Sequence, residues 1–402
     1  MLRLFLLLIC LLCPCAAPAA RPLQPLIDAT APGGTLRLAA GAYAGPAVID
    51  KTMVLDGGGA ATLDGAGQGT VLTVRARGAV VRGLRIVGSG DLHDRLDAGV
   101  LIEGDDNLVE DNRIEDVLFG VALSRADGNR VRGNRIRSRH DNPAERGDAV
   151  RLWYSRFNRI EGNDIARARD IALANAAHNR IVGNRIRDGR TGLHMIFSPR
   201  TLVEGNELSG NTGGIFALNS DGLVVRGNRI LHAMSASGAA IGLKETDAAL
   251  IQGNEIVHSA VGILADSPVH PVNRITIVGN RIAHTITGIT FYGEKGGHIV
   301  RDNRFEHNLA HAVLYGSGDP LANDWLGNDW DDYEGFDRDG DGVGDTPYEV
   351  YAYADRIWIE NPQATFFRKA PAMELLDFLE RLAPFASPAL ILRDAAPRVR
   401  RR

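Results

Sequence analysis

One short phrase returns nine times between Asn107 and Phe305: NLVEDNRI, NRVRGNRI, NRIEGNDI, NRIVGNRI, LVEGNEL, LVVRGNRI, LIQGNEI, ITIVGNRI and HIVRDNRF. Its anchoring asparagines are Asn112, Asn134, Asn163, Asn184, Asn206, Asn228, Asn254, Asn280 and Asn303, spaced by 22, 29, 21, 22, 22, 26, 26 and 23 residues. A period in the low twenties marks one small unit stacked on itself, because a unit of that size cannot bury its apolar face alone.

Most units carry a second apolar run after a glycine: GVLI at Gly99, GVAL at Gly120, GLHMIF at Gly192, GIFAL at Gly214, GILA at Gly262 and GITFY at Gly288. Both runs alternate Val, Ile and Leu with other residues at period two and are too short for helices, so each reads as a strand with one buried face. Gly, Asn, Asp and Ser between them supply tight corners. A leucine-rich repeat shares the period but needs an L-x-x-L-x-L frame that is absent here. The pattern predicts an all-β, right-handed parallel β-helix with coils of about 22 residues, an Asn at each corner and the following isoleucines pointing inward.

The 402 residues carry a net charge of -4 and are 45% hydrophobic, which fits a well-cored chain with no basic excess for nucleic acid. At the N-terminus Arg3 precedes LFLLLICLLC and small residues ending APAA, the layout of a secretory signal peptide over residues 1–19. Cys10, Cys13 and Cys15 all lie within it, so the mature chain has no disulfide and no thiolate ligand. No later stretch approaches the length of a membrane-spanning helix. Residues 20–318 read as the β-helix with an N-terminal cap over 20–32, residues 319–364 as an acidic, aromatic cap and 365–402 as a helix and tail. Excursions from the stack are expected at Ser89–Asp97, Arg137–Asp148, Met234–Gly238 and Ser267–Val272.

In the acidic stretch, Asp337, Asp339, Asp341 and Asp345 fall at positions 1, 3, 5 and 9 of a calcium-loop template, with Gly342 at position 6. Position 12 is Tyr348 rather than a bidentate Glu. The loop reads as a calcium site, as a magnesium or empty acidic turn, or as a solvated loop. Trp325, Trp330 and Tyr333 are expected to cover the last coil. Pro371–Leu382 predicts an amphipathic helix, stopped by Pro384, with Leu375, Leu376, Leu379, Leu382 and Ala383 on one face; its polar face is mostly acidic, which favours docking on protein over lipid.

The runs GDAVRLWYSRFNRIEGND, RDGRTGLHMIFS, GLKE at Gly242, NDWDDYEGFDRDGDGVGDTPY and AMELLDFLERLAPFASPALILRD together resemble the NosD family, across nearly the whole mature chain. The resemblance implies a periplasmic β-helix protein that is not an enzyme. It implies work with an ABC-type ATPase and permease and a copper chaperone to supply copper centres to nitrous oxide reductase. The chain departs from the family where Arg169 and Asp170 lead into IALANAAHN instead of a second W-Y-S run like that at Trp153 and Tyr154.

Alignment on the asparagines puts His232, His258, His284 and His307 four residues after Asn228, Asn254, Asn280 and Asn303. Equivalent residues of stacked coils lie about 4.8 Å apart, so four imidazoles could form a ladder, with Met234 beside its start. Copper(I) favours thioether, thiolate and imidazole, and without cysteine only Met and His remain. The ladder reads either as a copper site of His232, Met234, His258, His284 and His307 or as a row of structural or surface histidines. His194 with Met195 is a second candidate pair. The competing function is a carbohydrate-active β-helix enzyme acting on a polyuronide, with Lys244 and Glu245, or Arg151 and Asp148, as its acid-base candidates. A passive adhesin or surface-layer module is a third.

Overall fold

In the computed structural model, described residues are 20–352 apart from 236–237, 267–272, 293–295 and 316–318, together with 371, 375, 378, 379 and 389–399. The signal peptide lies outside them, as does most of the helix expected over Pro371–Leu382. The four residues described there, Pro371, Leu375, Phe378 and Leu379, are helical.

Three short strands make each coil, and each pairs in parallel with its equivalent one coil away. In one coil Arg130–Arg132 runs between Leu108–Glu110 and Arg159–Glu161, and Arg135–Ser138 between Arg113–Val117 and Asp164–Ala166. The third strand, Val150–Trp153, belongs to a separate 12-stranded sheet that runs the length of the stack. Register keeps like beside like: Ile114, Ile136, Ile165 and Ile186 form one inward row. All four are buried, as the alternation predicts. Outward-facing Arg and Glu pair between coils, as in the chain Arg229, Glu255, Arg281 and Glu306.

Two corners shape each coil. At the first, a residue such as Gly183 (φ 62) turns in the left-handed region, and the Asn that follows is buried. Asn184 donates from Nδ2 to Ile160 O at 2.9 Å and to Asn206 Oδ1 at 3.0 Å, and its own Oδ1 accepts from the backbone N and Nδ2 of Asn163. The ladder satisfies a backbone carbonyl and an amide that the corner would otherwise bury unpaired. At the second corner, four residues after every anchoring Asn except Asn134, the backbone is again left-handed: Asp116, Arg167, Asp188, Gly210, His232, His258, His284 and His307 have φ between 52 and 64.

The stack is closed at both ends. Helix Gln24–Ala29 covers the first coil with Leu23 and Ile27, while Gln24 hydrogen-bonds the backbone N and O of Val48 as a neighbouring strand would. At the far end the coils continue past residue 318, further than the repeat phrase suggests. Asp324–Leu326 pairs with Ile299–Arg301, and Asp329–Trp330 with Arg304–Glu306. Trp325 and Trp330 take the inward positions of Val300 and Phe305, and the substitution of Trp for Val and Ile hides the phrase in NDWLGNDW. Trp330 is sandwiched between Phe305 at 4.3 Å and Tyr348 at 4.4 Å between ring centroids. Tyr348–Ala352 then pairs antiparallel with Ala389–Asp394, a change of direction that ends the parallel edge.

Candidate metal-binding corner

The four histidines of the second corner share one face. Their rings stack with centroid separations of 5.3 Å from His232 to His258, 4.9 Å from His258 to His284 and 5.1 Å from His284 to His307. All four are exposed, as is Met234 two residues beyond His232. The backbone explains part of the composition, since His tolerates a positive φ better than β-branched residues do. It does not require His: Gly210 serves the same corner one coil earlier.

Stacking constrains what the ladder can hold. An imidazole binds an ion in the plane of its ring, and stacked rings direct their lone pairs side by side. Two nitrogens sharing one ion must lie at most about 4.2 Å apart, given metal–nitrogen bonds of 2.0–2.1 Å. Two rungs therefore share an ion only when at least one ring turns about its side-chain bonds, which exposure permits.

Two other groups bring three ligand atoms within 4.8 Å of one another among the described residues: His311 with Asp331 and Asp332, and Asp337 with Asp339 and Asp341. The first was not legible from spacing. His311 Nε2 lies 3.2 Å from both Asp331 Oδ1 and Asp332 Oδ1, and the ring is buried. Asn308 sets its tautomer: Oδ1 of that amide accepts from Thr285 N and Oγ1, so Nδ2 faces Ile282 O at 3.0 Å and His311 Nδ1 at 3.3 Å. Nδ1 is then an acceptor and Nε2 carries the proton. An ion on Nε2 would move that proton to Nδ1, against an N–H of Asn308, so His311 is a hydrogen-bond donor to the two carboxylates. Burial raises the Asp332 carboxyl, but hydrogen bonds from His311 and Tyr348 outweigh it and hold the group below its ordinary range.

In the acidic loop Asp337 folds back on itself, accepting from Gly340 N at 2.7 Å and Gly342 N at 3.0 Å. Asp345 does not join the cluster: its Oδ2 accepts from Arg338 N at 2.8 Å. Tyr348, at template position 12, points the other way and donates to Asp332 Oδ2 at 3.2 Å. The loop is fastened to the chain's end by Gly344 N to Pro397 O at 2.8 Å and Val399 N to Gly342 O at 3.0 Å.

Of the second pair, Met195 is fully buried while His194 faces outward and stacks on Phe216 at 5.4 Å. Lys244 and Glu245 form no ion pair; Glu245 accepts from Asn219 at 3.4 Å. Asp148 lies 3.5 Å from Arg151, and burial first, then the charge of Asp170, push its pKa up from 3.8 to about 6. Asp170 is itself satisfied by Arg190 and by Thr191 N.

Fold and corner define a capped parallel β-helix with a row of solvent-facing imidazoles. Residues 137–335 match the family described as "Periplasmic copper-binding protein (NosD)". The chain is 29% identical over 455 aligned residues to a "Probable ABC transporter binding protein NosD" of Pseudomonas aeruginosa, covering 98% of this chain and 95% of that one. A protein of the same description from Stutzerimonas stutzeri is 39% identical over 61 residues, 15% of this chain and 14% of that one. Among solved structures, the A-modules of the Azotobacter vinelandii mannuronan C-5 epimerases AlgE6 and AlgE4 are similar in fold. AlgE6 has TM-score 0.55, 14% identity and coverage of 74% of this chain and 92% of that one. AlgE4 has TM-score 0.50, 14% identity and coverage of 74% and 93%. No helix among the described residues is long and apolar enough to cross a membrane.

Proposed function

We propose that this chain is a periplasmic, non-enzymatic accessory protein for copper-centre maturation of nitrous oxide reductase. It works with an ABC-type ATPase and permease and a copper chaperone, and holds copper on the ladder of His232, Met234, His258, His284 and His307. The observation that carries this reading is the exposed stack of four imidazoles in a chain that matches, over residues 137–335, a family described as copper-binding. Solvent-facing rungs that must turn to share an ion hold it weakly, which suits transfer better than storage. The acidic loop is proposed to take calcium through Asp337, Asp339 and Asp341, with Asp345 completing the set once it leaves Arg338. The segment Pro371–Pro384 is proposed to attach the permease, since Leu375, Phe378 and Leu379 are exposed. The proposed organisation is a signal peptide over 1–19, a β-helix with its cap from 20 to 318 and beyond into the last coil, the acidic cap to 364 and the C-terminal helix and tail.

The test is copper loading of the reductase in cells carrying a His258→Gly, His284→Gly variant. Glycine suits the φ of 54 and 55 at these positions, so the corner is preserved. Full loading would leave docking as the protein's role. A polyuronide enzyme is favoured only by the raised pKa of Asp148, and turnover of polyuronides by the purified chain would establish it.

A further inference from the structure

We propose that Asp331 is a positioning residue that makes His307 the anchored, ion-accepting rung of the ladder. The inference rests on the copper reading above and adds a direction to it. Asp331 belongs to the coil after His307, and its two oxygens serve different rings. Oδ2 lies 3.1 Å from His307 Nδ1 and accepts the backbone N of His307 at 2.7 Å. Oδ1 lies 3.2 Å from His311 Nε2. His311 Nε2–H, whose hydrogen bond goes to Asp332 Oδ1, stands equally close to Asp331 Oδ1, and the backbone N of His307 donates to Oδ2, so the carboxylate is held in one orientation. With the anionic Oδ2 only 3.1 Å from it, Nδ1 is the ring nitrogen expected to carry the proton, which leaves Nε2 as a lone pair turned away from the carboxylate.

A metal-binding histidine characteristically donates its other ring N–H to a carboxylate, which fixes tautomer and direction and raises basicity. Among the described residues only His307 has a carboxylate beside its ring; His232, His258 and His284 have none within ion-pair distance. The ring planes follow the same gradient: the tilt between neighbours is 3° at the His232 end, 19° in the middle and 26° between His284 and His307. His307, the ring beside Asp331, belongs to the least parallel pair of the ladder. The ladder thus has a loose end at His232, two residues before the exposed Met234, and a tight end at His307.

The experiment uses the full mature chain and two readouts. Nitrogen-15 NMR of the metal-free protein reports the His307 tautomer, expected as Nδ1–H in the wild type. Asp331→Ala should release it toward Nε2–H, Asp331→Asn should restore much of the wild-type form by offering an amide oxygen, and Asp332→Ala should leave it unchanged. Copper(I) titration against a chromophoric chelator should show affinity weakened by about 10- to 100-fold in Asp331→Ala, with partial recovery in Asp331→Asn. Copper bound by the wild type but held equally well by Asp331→Ala, or an unchanged His307 tautomer in that variant, would overturn this inference alone. No copper bound by the wild type would overturn it together with the ladder reading.

Discussion

Asp394 terminates the asparagine ladder at Asn328: its Oδ2 accepts from both the backbone N and the side-chain Nδ2 of Asn328, each at 2.9 Å. Gly327 N, Trp330 Nε1 and Ala396 N also donate to this fully buried carboxylate. An asparagine ladder passes its unpaired end from coil to coil, and an acceptor-only side chain is what the last rung needs. Asp394→Ala should orphan several buried donors at about 1–3 kcal/mol each. In a solenoid the damage stays near its origin. Hydrogen exchange should therefore show lost protection in strands Ile299–Arg301 through Asp329–Trp330, with Leu108–Glu110 through Arg185–Arg187 unaffected. A uniform loss would contradict this.

Ile186 sits in the middle of an inward row between Ile165 and Leu208. Ile186→Asp puts a carboxylate there with no partner, and the expected loss is several kcal/mol, read as a lower urea midpoint. Unchanged stability would show that the row does not face the core.

Asp148 predicts a pH dependence whose sign runs opposite to that of a salt-bridged carboxylate. Its folded pKa of about 6 exceeds the ordinary 3.8, so the folded chain binds the extra proton between those values. The cost of the buried charge is fully present above pH 6 and is relieved as pH falls toward 4. Asp148→Asn should therefore be more stable than the wild type at pH 7.5 by up to about 3 kcal/mol, and the gap should close by pH 4. Urea melts of both proteins across that range provide the measurement; a gap that is flat with pH would contradict the assignment.

The β-helix was legible because its determinants are local. Alternation gave the strands, and Asn112 to Asn303 gave the coil register. A second ladder has the same spacing: Asn107, Asn129 and Asn158 stand five residues before Asn112, Asn134 and Asn163, and Nδ2 of Asn107 and of Asn129 donates to Oδ1 of the next Asn along the stack. The histidine register was readable from the same alignment, but stacking and exposure were not, since spacing says nothing about ring orientation. The cluster of His311, Asp331, Asp332 and Tyr348 escaped because its members come from two coils and the irregular cap. Asp394 lies 66 residues from Asn328, beyond any local pattern.

The acidic loop predicts a calcium-dependent melting temperature. Three convergent carboxylates without the bidentate Glu point to the weak end of the range, on the order of 10⁻⁴ to 10⁻³ M. Millimolar calcium should raise the melting temperature of the wild type and have no effect on Asp337→Ala. Equal melting in calcium and in chelator would leave the loop as a turn that fastens Pro397 and Val399.

Truncation after Phe367 separates two roles of the C-terminal segment. It also removes Asp394, so a milder variant is needed: Leu375→Ser with Leu379→Ser. Both side chains are exposed, so the variant should keep its urea midpoint and lose co-purification with the permease. A lowered midpoint would show that this face closes the last coil instead.

The ladder itself is tested most directly by copper(I) titration of the mature chain against a chromophoric chelator, with His258→Gly, His284→Gly alongside. The account predicts that the wild type takes up copper(I), and that the glycine variant, with unchanged circular dichroism and melting temperature, binds it at least about tenfold more weakly. Equal affinity in the two proteins, or no copper bound by the wild type, would contradict it.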